Sequence, residues 1–197
     1  MLFRSTAAEP TVAVIRKFNM ATGAPAGELP VPQSPGINDI AVAADGTVYG
    51  TQTRVPGPTA EPSHSKVFKI TAQGVVSEFL VGPPLRAPNG IAFDNDGNLV
   101  VVNIDNNEVL TFSLDGKLLK TEHAVQPGND GLVILKDGTK YVSSVRQGGV
   151  SRIRPGQPAE LIATGIPSAA SMCYDAGANQ LVIPMNPNNG VAIIPLR

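Results

Sequence analysis

Apolar and polar residues alternate along this chain in short stretches, and most of the stretches meet at a glycine. In IAFDNDGNLVVV, residues 91–102, an apolar run reaches Asp96-Gly97 and a second apolar run follows. Asp-Gly suits the left-handed backbone of a tight hairpin, so the pattern predicts two antiparallel strands joined there. The same reasoning pairs SKVFKIT (65–71) with VVSEFLV (75–81), and EVLTFSL (108–114) with KLLKTEH (117–123). GVSRIRP and AELIATG form a further pair, and VAIIPL closes the chain after Asn189-Gly190. No segment sustains the apolar period of a helix.

The hairpins repeat. NDIAVAADG from Asn38, NGIAFDNDG from Asn89 and DGLVILKDG from Asp130 share one gapless pattern. Each reads Asn or Asp, any residue, Ile or Leu, Ala or Val, three residues, then Asp-Gly, with the Asp at 45, 96 and 137. The copies begin 51 and 41 residues apart, and the longer interval holds a Pro-rich insertion, RVPGPTAEPSHS (54–65). SMCYDAGANQLVIPM is a degenerate fourth copy in which Ala-Gly-Ala-Asn replaces the Asp-Gly turn. About four short strands per ~40–50-residue period is the spacing of propeller blades. A β-sandwich would require the three gapless copies to arise by chance. The expected fold is therefore all-β, a single propeller domain over 1–197 with about four blades and disorder over 1–11. Apolar side chains of 40–43, 91–93 and 132–135 are expected to alternate into the spaces between blades.

Composition removes several function classes. Twenty Gly and 18 Pro fit a chain of many turns, and 42% hydrophobic and 16% charged residues with a net charge of −1 call for no nucleic acid or membrane surface. No apolar run approaches the ~20 residues of a membrane span. MLFRSTAAEP lacks the apolar centre of a signal peptide, which leaves the compartment open. Cys173 is the only cysteine and, within SMCYD, is expected to be a small buried hydrophobe. There is no Gly-x-Ser-x-Gly elbow, and His64 and His123 are expected at the surface, which argues against a Ser-His-Asp triad. DNDGN (94–98) mimics a calcium loop with its Gly at the wrong offset, so a hairpin turn is expected. Arg146, Arg152 and Arg154 read as solvated strand-face charges.

Candidate chemistry sits at the first position of the repeat. Asn89 follows Pro88 and precedes a strand, so no helix uses it as a cap. The innermost strands of a propeller line its channel, which would gather Asn38, Asn89 and Asp130 into a ring of oxygen donors at one mouth. Two amide oxygens and one carboxylate suit a hard divalent cation such as Ca²⁺. The alternative is that each merely ends a loop by bonding nearby backbone. Gly90 and Gly131 are expected to let backbone approach a ligand closely.

GINDIAVAADGTVYGT, APNGIAFDNDGNLVVVN and GNDGLVILKDGTKYVSSVRQGGVSRIRPG resemble consecutive segments of the regucalcin (senescence marker protein)/gluconolactonase family. The resemblance runs from about residue 12 to the C-terminus. It implies a six-bladed β-propeller and metal-dependent hydrolysis of a small-molecule lactone or related ester. It also implies that Asn38 lies in the substrate cavity, that Asn89 is a metal ligand, and that Asp130 is both a metal ligand and the general base. The implied cofactor is a divalent metal, Ca²⁺ first, with Zn²⁺, Mg²⁺ and Mn²⁺ open. Two departures stand out. The family's remaining ligand, a Glu on an early strand, has no match, because Glu9 and Glu28 sit in unrelated surroundings. The Arg that sugar-lactone hydrolysing members carry two residues before the cavity Asn is Gly36 here. Six such periods would need about 246 residues. The sequence therefore reads as the last two-thirds of a propeller, without the N-terminal blade or blades. A non-catalytic NHL-like propeller that binds a ligand or protein is the reading from another class.

Overall fold

A computed structural model describes residues 12–32, 34–53 and 64–196. The expectations for 1–11 and for most of the Pro-rich insertion fall outside these residues. Hairpins built on the glycine turns account for nearly every element. β1 (Ala13–Phe18) and β2 (Pro25–Val31) form a two-stranded sheet. β3 (Ile40–Val42), β4 (Val48–Gln52), β5 (Lys66–Ile70) and β6 (Val76–Val81) form the second sheet. The third contains β7 (Pro88–Phe93), β8 (Leu99–Asn103), β9 (Glu108–Phe112) and β10 (Leu118–His123). The fourth contains β11 (Asn129–Ile134), β12 (Lys140–Ser144), β13 (Val150–Ile153) and β14 (Glu160–Ala163). β15 (Cys173–Asp175), β16 (Gln180–Met185) and β17 (Gly190–Pro195) close the series. Every pairing is antiparallel between consecutive strands, the up-and-down meander of propeller blades. The expected all-β propeller is what forms. Among the described residues no helix is long and apolar enough to cross a membrane.

The turns differ in detail from the sequence reading. In the loop after β7, Asp94 N–H donates to Asn98 O at 2.9 Å and Gly97 N–H donates to Asp94 O at 3.2 Å. Only Gly97 in that loop has positive φ, at 79°. This is a three-residue loop, an i to i+3 turn closed by a left-handed glycine, and Asp96 itself need not be left-handed. The same pattern recurs at Gly46, Gly74, Gly116 and Gly138. The aspartates act through their side chains instead: Asp45 Oδ1 accepts from Thr47 N–H and Asp137 Oδ1 from Thr139 N–H, each at 2.9 Å. In 94–98 it is Asp94 Oδ1 that accepts, from the N–H groups of Asp96 and Asn98.

The core consists of four apolar layers, each lying between two successive sheets. Ile15, Leu29 and Val31 meet Ile37, Val48, Phe68 and Ile70 in the first layer. Ala41, Tyr49 and Val67 meet Ile91, Leu99, Val101 and Phe112 in the second, where the Tyr49 ring stands edge-on to Phe79 and Phe93. Val100, Val102 and Val109 meet Leu132, Val142 and Ile153 in the third. Tyr141 and Val150 meet Ile166, Leu181 and Ile183 in the fourth. The first strands alternate between layers as the period of two requires. Ile91 and Phe93 enter the second layer while Ala92 enters the third, and Leu132 and Ile134 enter the third while Val133 enters the fourth.

Alternation also explains Cys173, which is exposed rather than buried. Met172 and Tyr174 turn into the fourth layer, so the residue between them faces the other way. Gly90 and Gly131 serve packing, and the expectation that they admit a ligand is corrected. A Cβ on Gly90 would lie 2.4 Å from Asp130 O and 3.1 Å from Leu132 N. One on Gly131 would lie 2.7 Å from Met172 N. Backbone of the next first strand fills the space.

Candidate metal and substrate site

The close approach of β7 and β11 brings two of the three ring residues together. Asn89 Nδ2 donates to Asp130 Oδ2 at 3.3 Å. Asn89 is 2% exposed and Asp130 half-buried. The one oxygen of the carboxamide, Asn89 Oδ1, is buried and has no hydrogen-bond partner among the described residues. Such an atom is costly to bury unless something outside the chain's own donors meets it.

Asn38 occupies the equivalent strand position, but its side chain is exposed. Its N–H donates to Thr51 O at 2.7 Å, and among the described residues no hydrogen bond joins its side chain to Asn89 or Asp130. The residue that reaches toward the pair from this sheet is Asp39. Its Oδ2 accepts from Ile91 N–H at 3.1 Å and its Oδ1 from Ile40 N–H at 2.8 Å. Burial raises the Asp39 pKa above the usual carboxylate value against the pull of these two N–H groups.

Asp130 is perturbed further. Loss of solvent pushes its pKa up to about 6 from 3.8, and the nearby Asp39 carboxylate adds to the rise. Hydrogen bonds from Ser171 and Asn89 oppose it. Ser171 begins the fourth copy of the repeat, 41 residues after Asp130, so it holds the same ring position. Sequence reasoning identified that copy without assigning its first residue to the site. It missed Asp39 because the second position of the pattern admits any residue. The useful signal was a carboxylate where the other two copies have glycine.

The other candidates lie elsewhere. Glu28 is paired with Arg16 at 2.9 Å on the exposed first sheet, and Glu9 falls outside the described residues. His123 is exposed as expected. His64 is half-buried, and its Nδ1 is without a partner among the described residues, which corrects its surface assignment. Arg146 pairs with Asp105 at 2.5 Å and Arg152 with Glu160 at 2.8 Å.

Among the described residues no three His, Cys, Asp or Glu side chains come together. The donor set that does exist is the Asn89 amide oxygen, unpartnered among the described residues, on a carboxamide whose Nδ2 meets the Asp130 carboxylate. Such a pair fits a hard divalent cation, with Asp130 supplying one negative charge. Both oxygens of Asp39 already accept backbone N–H groups.

The fold and site together define a β-propeller with a buried amide–carboxylate pair between the first strands of two adjoining blades. The SMP-30/Gluconolactonase/LRE-like region matches residues 15–184, and the chain belongs to that family. No curated protein matches it significantly. Among solved structures, it is similar to virginiamycin B lyase from Staphylococcus aureus in selenomethionine form, at 16% identity and a TM-score of 0.64, over 93% of this chain and 63% of that one. A gluconolactonase from Xanthomonas campestris aligns at 24% identity and a TM-score of 0.62, over 82% of this chain and 57% of that one. A calcium-binding protein, regucalcin, from Agrobacterium tumefaciens aligns at 19% identity and a TM-score of 0.65, over 90% of this chain and 68% of that one. At these identities the likeness is one of fold. The chain spans less than two-thirds of the length of the lyase and of the gluconolactonase.

Proposed function

We propose that the chain is a metal-dependent hydrolase of a lactone or related small-molecule ester, acting at Asn89 and Asp130. The observation that carries this reading is the buried Asn89 Oδ1, unpartnered among the described residues, on a side chain bonded to a carboxylate whose pKa is about 6. Membership of the family and likeness to a gluconolactonase and a regucalcin support it. Asn89 Oδ1 and Asp130 would hold a divalent cation, Ca²⁺ first. When bound, the cation supplies electrophilic polarisation of the acyl carbonyl.

Asp130 acts as the general base. With a pKa of about 6 it is mostly ionised at neutral pH yet still basic enough to take a proton from water as the water oxygen adds to the acyl carbon. The proton then passes to the ring oxygen as the acyl C–O bond breaks, giving the hydroxy acid. Asn89 Nδ2 and Ser171 orient the carboxylate from two sides. Asn38, exposed at the equivalent ring position, is assigned to hold substrate.

The test is a panel of lactones and aryl esters assayed with Ca²⁺ and with EDTA. Turnover that EDTA abolishes and that Asp130→Asn removes is the expected result. A chain that binds Ca²⁺ but turns over no member of the panel would be a ligand-binding scaffold instead.

A further inference from the structure

Gly90 lets β7 pack against β11, but a glycine next to Asn89 also brings conformational freedom to the strand that must hold the side chain still. The two peptide groups flanking Gly90 are both gripped from the second sheet. Thr51 Oγ1 donates to Asn89 O at 2.6 Å, and Ile91 N–H donates to Asp39 Oδ2 at 3.1 Å. Thr53 Oγ1 adds a third bond, to Pro88 O, at 2.8 Å. The two gripping residues are themselves joined, since Asp39 N–H donates to Thr51 Oγ1 at 3.1 Å. Thr51 is fully buried, so no water substitutes for its hydroxyl.

Comparison with the other junctions shows that this clamp is particular to Asn89. Ser143 stands where Thr51 does, accepts from Gly131 N–H at 2.8 Å and donates to Ala170 O at 2.7 Å. That junction has the hydroxyl without a carboxylate. In the third sheet the same position is Val102, which belongs to the apolar layer. Asp39 takes the place that Gly90 and Gly131 hold in their copies, where a Cβ would strike backbone. Among the described junctions only this one has a carboxylate that reaches across to the next first strand.

We propose that Thr51 and Asp39 are positioning residues for Asn89, pinning the peptide planes on both sides of Gly90 so that the Asn89 carboxamide stays fixed against Asp130. The consequence for cation affinity rests on the reading of Asn89 as a ligand; the positioning itself does not. Ligand-orienting partners of this kind change metal affinity by about 10–100-fold when lost.

The experiment uses the full 197-residue chain. Thr51→Val keeps the shape and loses the hydroxyl, whereas Thr51→Ser keeps the hydroxyl. The first readout is the ¹⁵N side-chain amide resonance pair of Asn89 in EDTA, assigned by its absence in Asn89→Asp. The second is Ca²⁺ affinity by calorimetry. The parent and Thr51→Ser should give one sharp Asn89 pair, while Thr51→Val should give a shifted, broadened pair and a Kd for Ca²⁺ about tenfold or more higher. An Asn89 pair unmoved in Thr51→Val overturns the proposal. If the parent itself does not bind Ca²⁺, the cation reading fails and the resonance still decides the positioning. Should Thr51→Val not fold, Asp39→Asn carries the same test, because Ile91 and Ile40 bond different carboxylate oxygens and a carboxamide offers only one; an unmoved pair there overturns the proposal equally.

Discussion

In EDTA at neutral pH, the Asp130→Asn chain should withstand more urea than its parent. Burial and the neighbouring Asp39 raise the Asp130 pKa from 3.8 to about 6, so the folded chain holds the proton more tightly than the unfolded one. A raised carboxylate pKa leaves folding unpenalised below about pH 3.8 and penalises it increasingly as pH rises through 6. At 1.36 kcal/mol per pH unit, the full cost above pH 6 is about 3 kcal/mol, of which roughly half is already present at pH 5. Asparagine keeps the shape and an acceptor for Asn89 Nδ2 and carries no charge. Partial exposure trims the gain, so about 1–3 kcal/mol is expected at pH 7.5. Urea melts of both chains between pH 5 and pH 8 measure it, with the slope m unchanged. The stability difference should widen by about 1 kcal/mol over that range. A variant no more stable than its parent, or a difference flat with pH, refutes the assignment of a buried, strained charge to Asp130. The same substitution should abolish hydrolysis, so the residue would trade stability for activity.

Three further outcomes are expected. Asn89→Ala should weaken Ca²⁺ binding at least tenfold by calorimetry while changing urea stability by no more than about 1 kcal/mol, since the oxygen it removes is unpartnered; the parent Kd should itself lie near ~10⁻⁴–10⁻³ M, because the described donors bring a single charge. Gly90→Ala should cost more than about 3 kcal/mol or prevent folding, because its Cβ meets backbone at 2.4 Å, whereas Gly97→Ala meets open space and should cost only about 1 kcal/mol for its φ of 79°. Ala87→Gly should stabilise by up to about 1 kcal/mol in the same melts, since Ala87 is held at φ 54° where Gly128, its equivalent, sits at 87°.

Sequence pattern revealed the sheets better than the site. Antiparallel hairpins follow from local chemistry: a glycine that can turn left-handed, an Asp that caps the turn, and apolar residues on either side. Repetition at 41 residues supplied the order of the sheets and placed Asn89 and Asp130 on adjoining first strands. What repetition could not supply is the surroundings of each copy. Asn38 and Asn89 share a register position, yet one is exposed and the other is covered by Thr51 and Asp130, because burial is set by the neighbouring sheet. Asp39 was hidden in a position where the pattern looked indifferent, although a Cβ is excluded there in the next two copies. Cys173 was misjudged from its apolar neighbours when alternation along β15 already pointed it outward.

The layered core also fixes how the molecule should open. No sheet owns a core, since each layer needs side chains from two of them, and stability is then a sum of nearest-neighbour couplings as in a stacked array. Among the described residues the β1–β2 sheet and the β15–β17 sheet each contribute to one layer, while the three sheets between them, carrying β3, β7 and β11, each contribute to two. Fraying should run inward from those outer sheets. Amide protons of Leu99–Asn103 and Lys140–Ser144 should therefore exchange only with global unfolding, while those of β1 and β17 exchange through local opening. Asn89 and Asp130 sit at the junction of two of these inner sheets, so the site should outlast the loss of either outer one.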